Sequence, residues 1–176
     1  TPHAVGLAAA AKIPYAEAII RNRYVGRTFI EPDQHSRTQG VQTKYNAMRA
    51  VVEGKRLLVV DDSIVRSTTI TRVIKMLRGA GAKEIHVRVA SPPIKSTCHF
   101  GVDMATLKEL IAANKSVDEV REFIDADSLA YLSVEGMLRA VRAPENAYCS
   151  GCFTGNYPIP VQLEMDKLGL ETAPSA

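Results

Sequence analysis

Residues 57–69 read LLVVDDSIVRSTT, an apolar run that ends in two adjacent aspartates and passes into a loop rich in hydroxyl groups. Leu57, Leu58, Val59 and Val60 have the unbroken apolar character of a strand buried in a parallel sheet. The carboxyl ends of such strands open onto the crevice where α/β sheets bind ligands, and Asp61 and Asp62 fall at that end. Ile70, Val73, Ile74 and Leu77 then recur at i, i+3, i+4 and i+7, the period of a helix with one apolar face. Such a helix would turn its free N-terminal amides and the positive end of its dipole toward the crevice, with Ser67, Thr68 and Thr69 adding hydroxyl donors for a phosphate. Two carboxylates beside a phosphate cradle suit sugar hydroxyls and Mg²⁺. An Asp pair by itself more often just caps the next helix. Here strand, acid pair, hydroxyl loop and helix follow in order, which favours a phosphoribose site.

The totals set the frame. At 176 residues, with 46% hydrophobic and 23% charged residues, the chain has the size and composition of one α/β domain with a proper core. No apolar run approaches the roughly 20 residues of a membrane span. The net charge of +3 is spread along the chain, apart from Arg21, Arg23 and Arg27, so neither a membrane nor nucleic acid is the expected partner. Three cysteines, an odd number, argue against a disulfide framework and for thiols or a metal centre in a reducing compartment, the cytoplasm.

Residues 5–12 are Ala-rich and expected to be helical, ending at Ile13 and Pro14 before a short strand over 16–20. Residues 21–43 carry Arg, Gly, Pro and polar side chains without a period, the mark of a functional lid. A short helix is expected over 44–52, the central strand over 56–60, and a parallel partner strand over 84–90 after Gly79 and Gly81. Capping boxes pair Thr106 with Glu109 and Ser116 with Glu119, each predicting a helix start. An edge strand over 129–132 and a helix capped by Ser133 precede a proline-rich irregular tail. There is no internal repeat.

The 57–69 segment resembles the 13-residue signature of type I phosphoribosyltransferases, which bind 5-phosphoribosyl-1-pyrophosphate (PRPP). DDSIVR followed by two threonines is similar to the amidophosphoribosyltransferases, and a second match lies in residues 22–30, NRYVGRTFI, which resemble that family's flexible PRPP loop. The resemblance implies a mostly parallel twisted sheet flanked by helices, with an irregular tail. It also implies PRPP contacts from Asp61, Asp62, Ser63, Ile64, Val65, Arg66, Ser67, Thr68 and Thr69, with Tyr24 and Lys44 joining from the lid. Asp61, Asp62, Arg23 and Arg27 would be catalytic, the aspartates through ribose hydroxyls and Mg²⁺ and the arginines on pyrophosphate. The family carries Gly where this chain has Ser67, so a Cβ here is expected to crowd the approach to the 5′-phosphate and weaken PRPP binding. By the same resemblance, residues 1–142 are an N-terminally truncated phosphoribosyltransferase domain and 143–176 a cysteine-containing tail packed on it. The absent N-terminal glutaminase domain would supply ammonia, within a homo-oligomer.

Cys149 and Cys152 form a CxxC in the tail, and Cys98 stands far upstream beside His99. A redox dithiol normally opens a helix after a strand, whereas this pair is expected in a loop; a zinc site needs a fourth ligand that His99 supplies only awkwardly; and ordinary buried thiols are the default. Some amidophosphoribosyltransferases hold a [4Fe-4S] cluster through four cysteines, and these three fall at similar positions, which places the fourth ligand outside the chain. Two rivals accompany the amidotransferase reading. A PRPP-binding regulator would need a DNA-binding module, and a base-salvage phosphoribosyltransferase would need an aromatic hood over the base; neither has a good candidate among these residues.

Overall fold

The computed structural model describes residues 1–21, 45–102, 104, 106–142, 144 and 147–160. In chain order these form α1 (Pro2–Ala11), the antiparallel pair β1 (Ile19–Arg21) and β2 (Tyr45–Ala47), and the short α2 (Arg49–Val52). Next come β3 (Arg56–Asp61), α3 (Thr68–Gly79) and β4 (Glu84–Val89). A 3₁₀ turn (Leu107–Glu109), α4 (Ile111–Asn114) and α5 (Val117–Phe123) lead to β5 (Ser128–Tyr131), followed by α6 (Val134–Ala140) and α7 (Gly151–Thr154).

The register of the sheet explains where the core lies. β3, β4 and β5 are parallel in that order, and Leu57 is level with Ile85, Val59 with Val87 and Leu129, and Val89 with Tyr131. Because side chains alternate along a strand, these rows share one face, and all seven belong to the main hydrophobic cluster. Ile70, Val73, Ile74 and Leu77 of α3 are buried in that cluster, as the helical period requires, joined by Val120 near the middle of α5. The opposite face carries His86, whose ring nitrogens meet Ser128 Oγ at 2.9 Å and Glu84 Oε2 at 3.0 Å. The α/β class, the parallel β3–α3–β4 unit and the flanking helices therefore stand as the sequence implied.

Several local expectations need correction. The segment 44–52 is not one helix: residues 45–47 pair with β1, and only Arg49–Val52 turn helically, anchored by the fully buried Val52. A pairing partner far away in sequence overrides local propensity. The first strand lies at Ile19–Arg21 rather than over 16–20, and α1 begins at Pro2, its C-cap Lys12 in the left-handed region at φ 54°. The Thr106 capping box is present but opens a 3₁₀ turn, α4 following as a separate turn after Leu110. Cys152 sits in the one-turn α7 rather than in irregular tail, with Cys149 in the loop before it.

Candidate functional site

β3 delivers Asp61 and Asp62 to the carboxyl edge of the sheet. Pairing with β4 holds the backbone to the last residue, where the Ala90 N–H donates to the Asp61 carbonyl at 2.9 Å. The Asp61 carboxylate turns back to accept the Asp62 N–H at 3.0 Å, and the Ser63 hydroxyl donates to Asp62 at 2.9 Å. Burial first, and the charge of Asp62 second, push the Asp61 carboxyl above its usual range. Two crowded carboxylates, one of them reluctant to ionise, are an environment that a divalent cation relieves, so the pair fits Mg²⁺.

The loop then runs inward. Ile64 is buried and Val65 half-buried, whereas Asp62, Arg66, Thr68 and Thr69 are exposed. Ser67, not either aspartate, is the N-cap of α3, and it is the one buried polar residue among those described. Its backbone is left-handed, with φ 61° and ψ −8°, a conformation that favours glycine. Its hydroxyl donates to the Arg66 carbonyl at 2.5 Å instead of capping the helix, and its own carbonyl accepts from the Thr71 N–H and hydroxyl at 3.0 and 2.9 Å. With no side-chain cap on the first turn of this 12-residue helix, its N-terminal amides are open to an anion.

Arg66 pairs with Glu109, Nε to Oε1 at 3.0 Å and Nη2 to Oε2 at 3.4 Å. In the sequence Glu109 carries only a capping-box signal, and nothing local connects it to Arg66. Arg23, Tyr24, Arg27 and Lys44 lie outside the described residues. The segment that contains them leaves from β1 and returns through β2, so the antiparallel pair brings its two ends side by side. Ala18, Ile19 and Ala47 pack on the main core, and β2 lies against α3.

The three thiols share one neighbourhood. Burial and then the proximity of Cys98 push the Cys152 thiol up, with Cys149 adding to it. The Lys95 and Ser96 N–H groups donate to the Cys152 carbonyl at 2.9 and 3.0 Å, and the Tyr157 hydroxyl donates to the Thr97 carbonyl at 2.6 Å, so the tail is fastened to the loop that carries Cys98. All three cysteines are free. Among the described residues no three His, Cys, Asp or Glu side chains are placed to hold a metal ion together, and three cysteines are one short of a cubane's four. The described thiols do not by themselves make up a cluster site.

A parallel sheet carrying a carboxylate pair and an uncapped helix start at its carboxyl edge is the architecture of a phosphoribose-binding enzyme. The phosphoribosyl transferase domain family matches residues 3–96, and the chain belongs to that family. Within it the similarity runs to amidophosphoribosyltransferases. That of Synechococcus elongatus is 50% identical over 173 residues, 97% of this chain and 35% of that protein, and that of Bacillus subtilis is 52% identical over 162 residues, 90% and 34%. The solved structure of glutamine PRPP amidotransferase from B. subtilis, complexed with ADP and GMP, matches with a TM-score of 0.78 at 51% identity, over 91% of this chain and 36% of that one. The chain thus spans about a third of the length of the curated relatives it matches, 35% in the first case.

Proposed function

We propose that the chain is the phosphoribosyltransferase part of a glutamine-dependent amidophosphoribosyltransferase. In this reading ammonia replaces the pyrophosphate of PRPP at C1 of the ribose, with inversion, to give 5-phosphoribosylamine in the first committed step of purine synthesis. The observation that carries the reading is the path from Asp61 and Asp62 through a left-handed Ser67 into the uncapped start of α3.

The carboxylates of Asp61 and Asp62 orient the ribose hydroxyls and hold Mg²⁺, which when bound offsets charge on the pyrophosphate. Amides of the loop and of the first turn of α3, with the exposed hydroxyls of Thr68 and Thr69, hold the 5′-phosphate. Arg23, Arg27 and Lys44 take the pyrophosphate oxygens and Tyr24 packs over the ribose. No strong base is needed, because ammonia is already a nucleophile; the chain's work is to align it with C1 and stabilise the positive charge that develops there. The segment between β1 and β2 acts as the lid that keeps water from C1, and the adjacency of its ends supports that role.

Residues 1–142 form the transferase domain and 143–176 the tail. The hydrogen bonds from Lys95 and Ser96 to Cys152 support the packing of one on the other. A [4Fe-4S] cluster would take Cys98, Cys149 and Cys152 as three ligands and its fourth from outside the chain, in a cytoplasmic homo-oligomer whose glutaminase domain delivers ammonia.

Calorimetric titration of the chain with PRPP and Mg²⁺ tests the site. Saturable binding that is lost in the Asp61→Asn, Asp62→Asn double variant is the expected result. Binding of equal strength in the double variant overturns the assignment.

A further inference from the structure

A left-handed residue other than glycine persists only where its surroundings over-determine it, which raises the question of what fixes Ser67. The two residues before it are clamped from outside the loop by a stretch 43 positions downstream of Arg66. The Val65 carbonyl accepts the Ile111 N–H at 3.0 Å, and the Val65 side chain packs on the buried Ile94 and Leu110. Arg66 is held through two nitrogens by Glu109. The same carboxylate accepts the Thr106 N–H and hydroxyl, both at 3.1 Å. Burial, which would raise the Glu109 carboxyl, is outweighed by the Thr106 N–H and Arg66 together, so it stays ionised.

We infer that Glu109 is a positioning residue of the phosphoribose site: its carboxylate fixes Arg66, and through Arg66 it sets the backbone path that aims the loop and the first amides of α3. The inference rests on the phosphoribose reading of that loop. An anion cradle made of backbone amides gains from being ordered before the ligand arrives, since ordering on binding subtracts from affinity. A carboxylate on the 3₁₀ turn supplies that order without touching the ligand.

Glu109→Gln separates this role from helix capping, because Gln serves a capping box as well as Glu does but carries no charge for Arg66. In the full chain, exchange of the Thr71 amide, whose N–H donates to the Ser67 carbonyl at 3.0 Å, is expected to quicken about fivefold, the size of effect a part-exposed Arg–carboxylate pair supports. The dissociation constant for PRPP with Mg²⁺ is expected to rise by about the same factor, with the exchange of β3 and β4 unchanged. In an Arg66→Met background the same substitution is expected to add nothing further, since its effect passes through Arg66. Unchanged exchange at Thr71, or an equal increment in both backgrounds, overturns the inference. Absence of PRPP binding by the parent chain would instead count against the phosphoribose reading, while the exchange comparison still decides whether Glu109 orders the loop.

Discussion

Asp127 engages both backbone groups of Ile85: its carboxylate accepts the Ile85 N–H at 2.6 Å, while its own N–H donates to the Ile85 carbonyl at 2.9 Å. Arg78, in the last turn of α3, donates to the same carboxylate at 2.7 Å, so one side chain joins α3, β4 and the entry to β5. The Ile85 N–H first, then Arg78 after a smaller opposing effect of burial, hold the Asp127 carboxyl below its usual range. Asp127→Ala leaves a strand N–H without its acceptor and the Arg78 guanidinium with only the Lys83 and Asp125 carbonyls, and a loss of about 1.5 kcal/mol is expected in urea melts at pH 7, discounted for the solvent exposure of the pair. Because the folded value is depressed, this stabilisation is present above the unfolded value of about 4 and is lost as pH falls through the folded value. The difference between variant and parent should therefore shrink below pH 4; a difference that stays constant down to acid pH would mean the carboxylate charge is irrelevant.

Ser67→Gly separates backbone strain from ligand access. At φ 61° the substitution removes a left-handed penalty of about 1 kcal/mol, but it also loosens the unfolded chain and deletes the hydroxyl bond to Arg66. These effects oppose one another, so the melting free energy should move by less than about 1 kcal/mol. PRPP affinity should rise roughly threefold, the equivalent of about 0.7 kcal/mol, as the backbone becomes open to close approach. Calorimetry on the two proteins side by side checks this, and equal affinities refute it.

The β3–α3–β4 unit was legible in the sequence because both of its signals are local: an apolar run into Asp61, and Ile70, Val73, Ile74 and Leu77 at helical spacing. Residues 45–47 carry no local strand signal, because their partners are Ile19, Ile20 and Arg21 and pairing at that distance leaves no local trace. The same holds in the site. Asp61 and Asp62 could be placed by their position at the end of a strand, whereas the contact of Arg66 with Glu109 joins two exposed-type residues across two elements and a loop. Ser67 is singled out only through the resemblance, and its backbone adopts the left-handed conformation that glycine reaches most readily.

Tyr131, the last residue of β5, buries its hydroxyl without a hydrogen-bond partner among the described residues. Burial pushes its pKa up to about 12, so it remains a neutral O–H donor at any physiological pH. Its ring nevertheless belongs to the core, level with Val89. Tyr131→Phe keeps the ring and removes the unpaired polar atom, and a gain of about 1 kcal/mol in unfolding free energy is expected. A loss of stability would show that the hydroxyl is satisfied in solution.

Asp61 should show the opposite balance of stability and function. Its folded pKa is raised, by burial first and Asp62 second, so whatever stability the protonated carboxyl confers is fully present below the unfolded value of about 4 and is lost as pH rises through the folded value. At neutral pH the parent chain therefore carries the cost of a half-buried, crowded carboxylate that the neutral amide of Asp61→Asn does not impose. The variant is expected to melt no lower than the parent at pH 7, with its relative advantage vanishing below pH 4, while PRPP and Mg²⁺ binding is lost. Such a pairing of retained fold with lost binding is what a residue kept for its ligand produces, since a strained site group is stabilising to remove. Thermal melts at both pH values, read beside the calorimetry, separate the two cases: a variant that is destabilised at pH 7 assigns Asp61 to the scaffold instead.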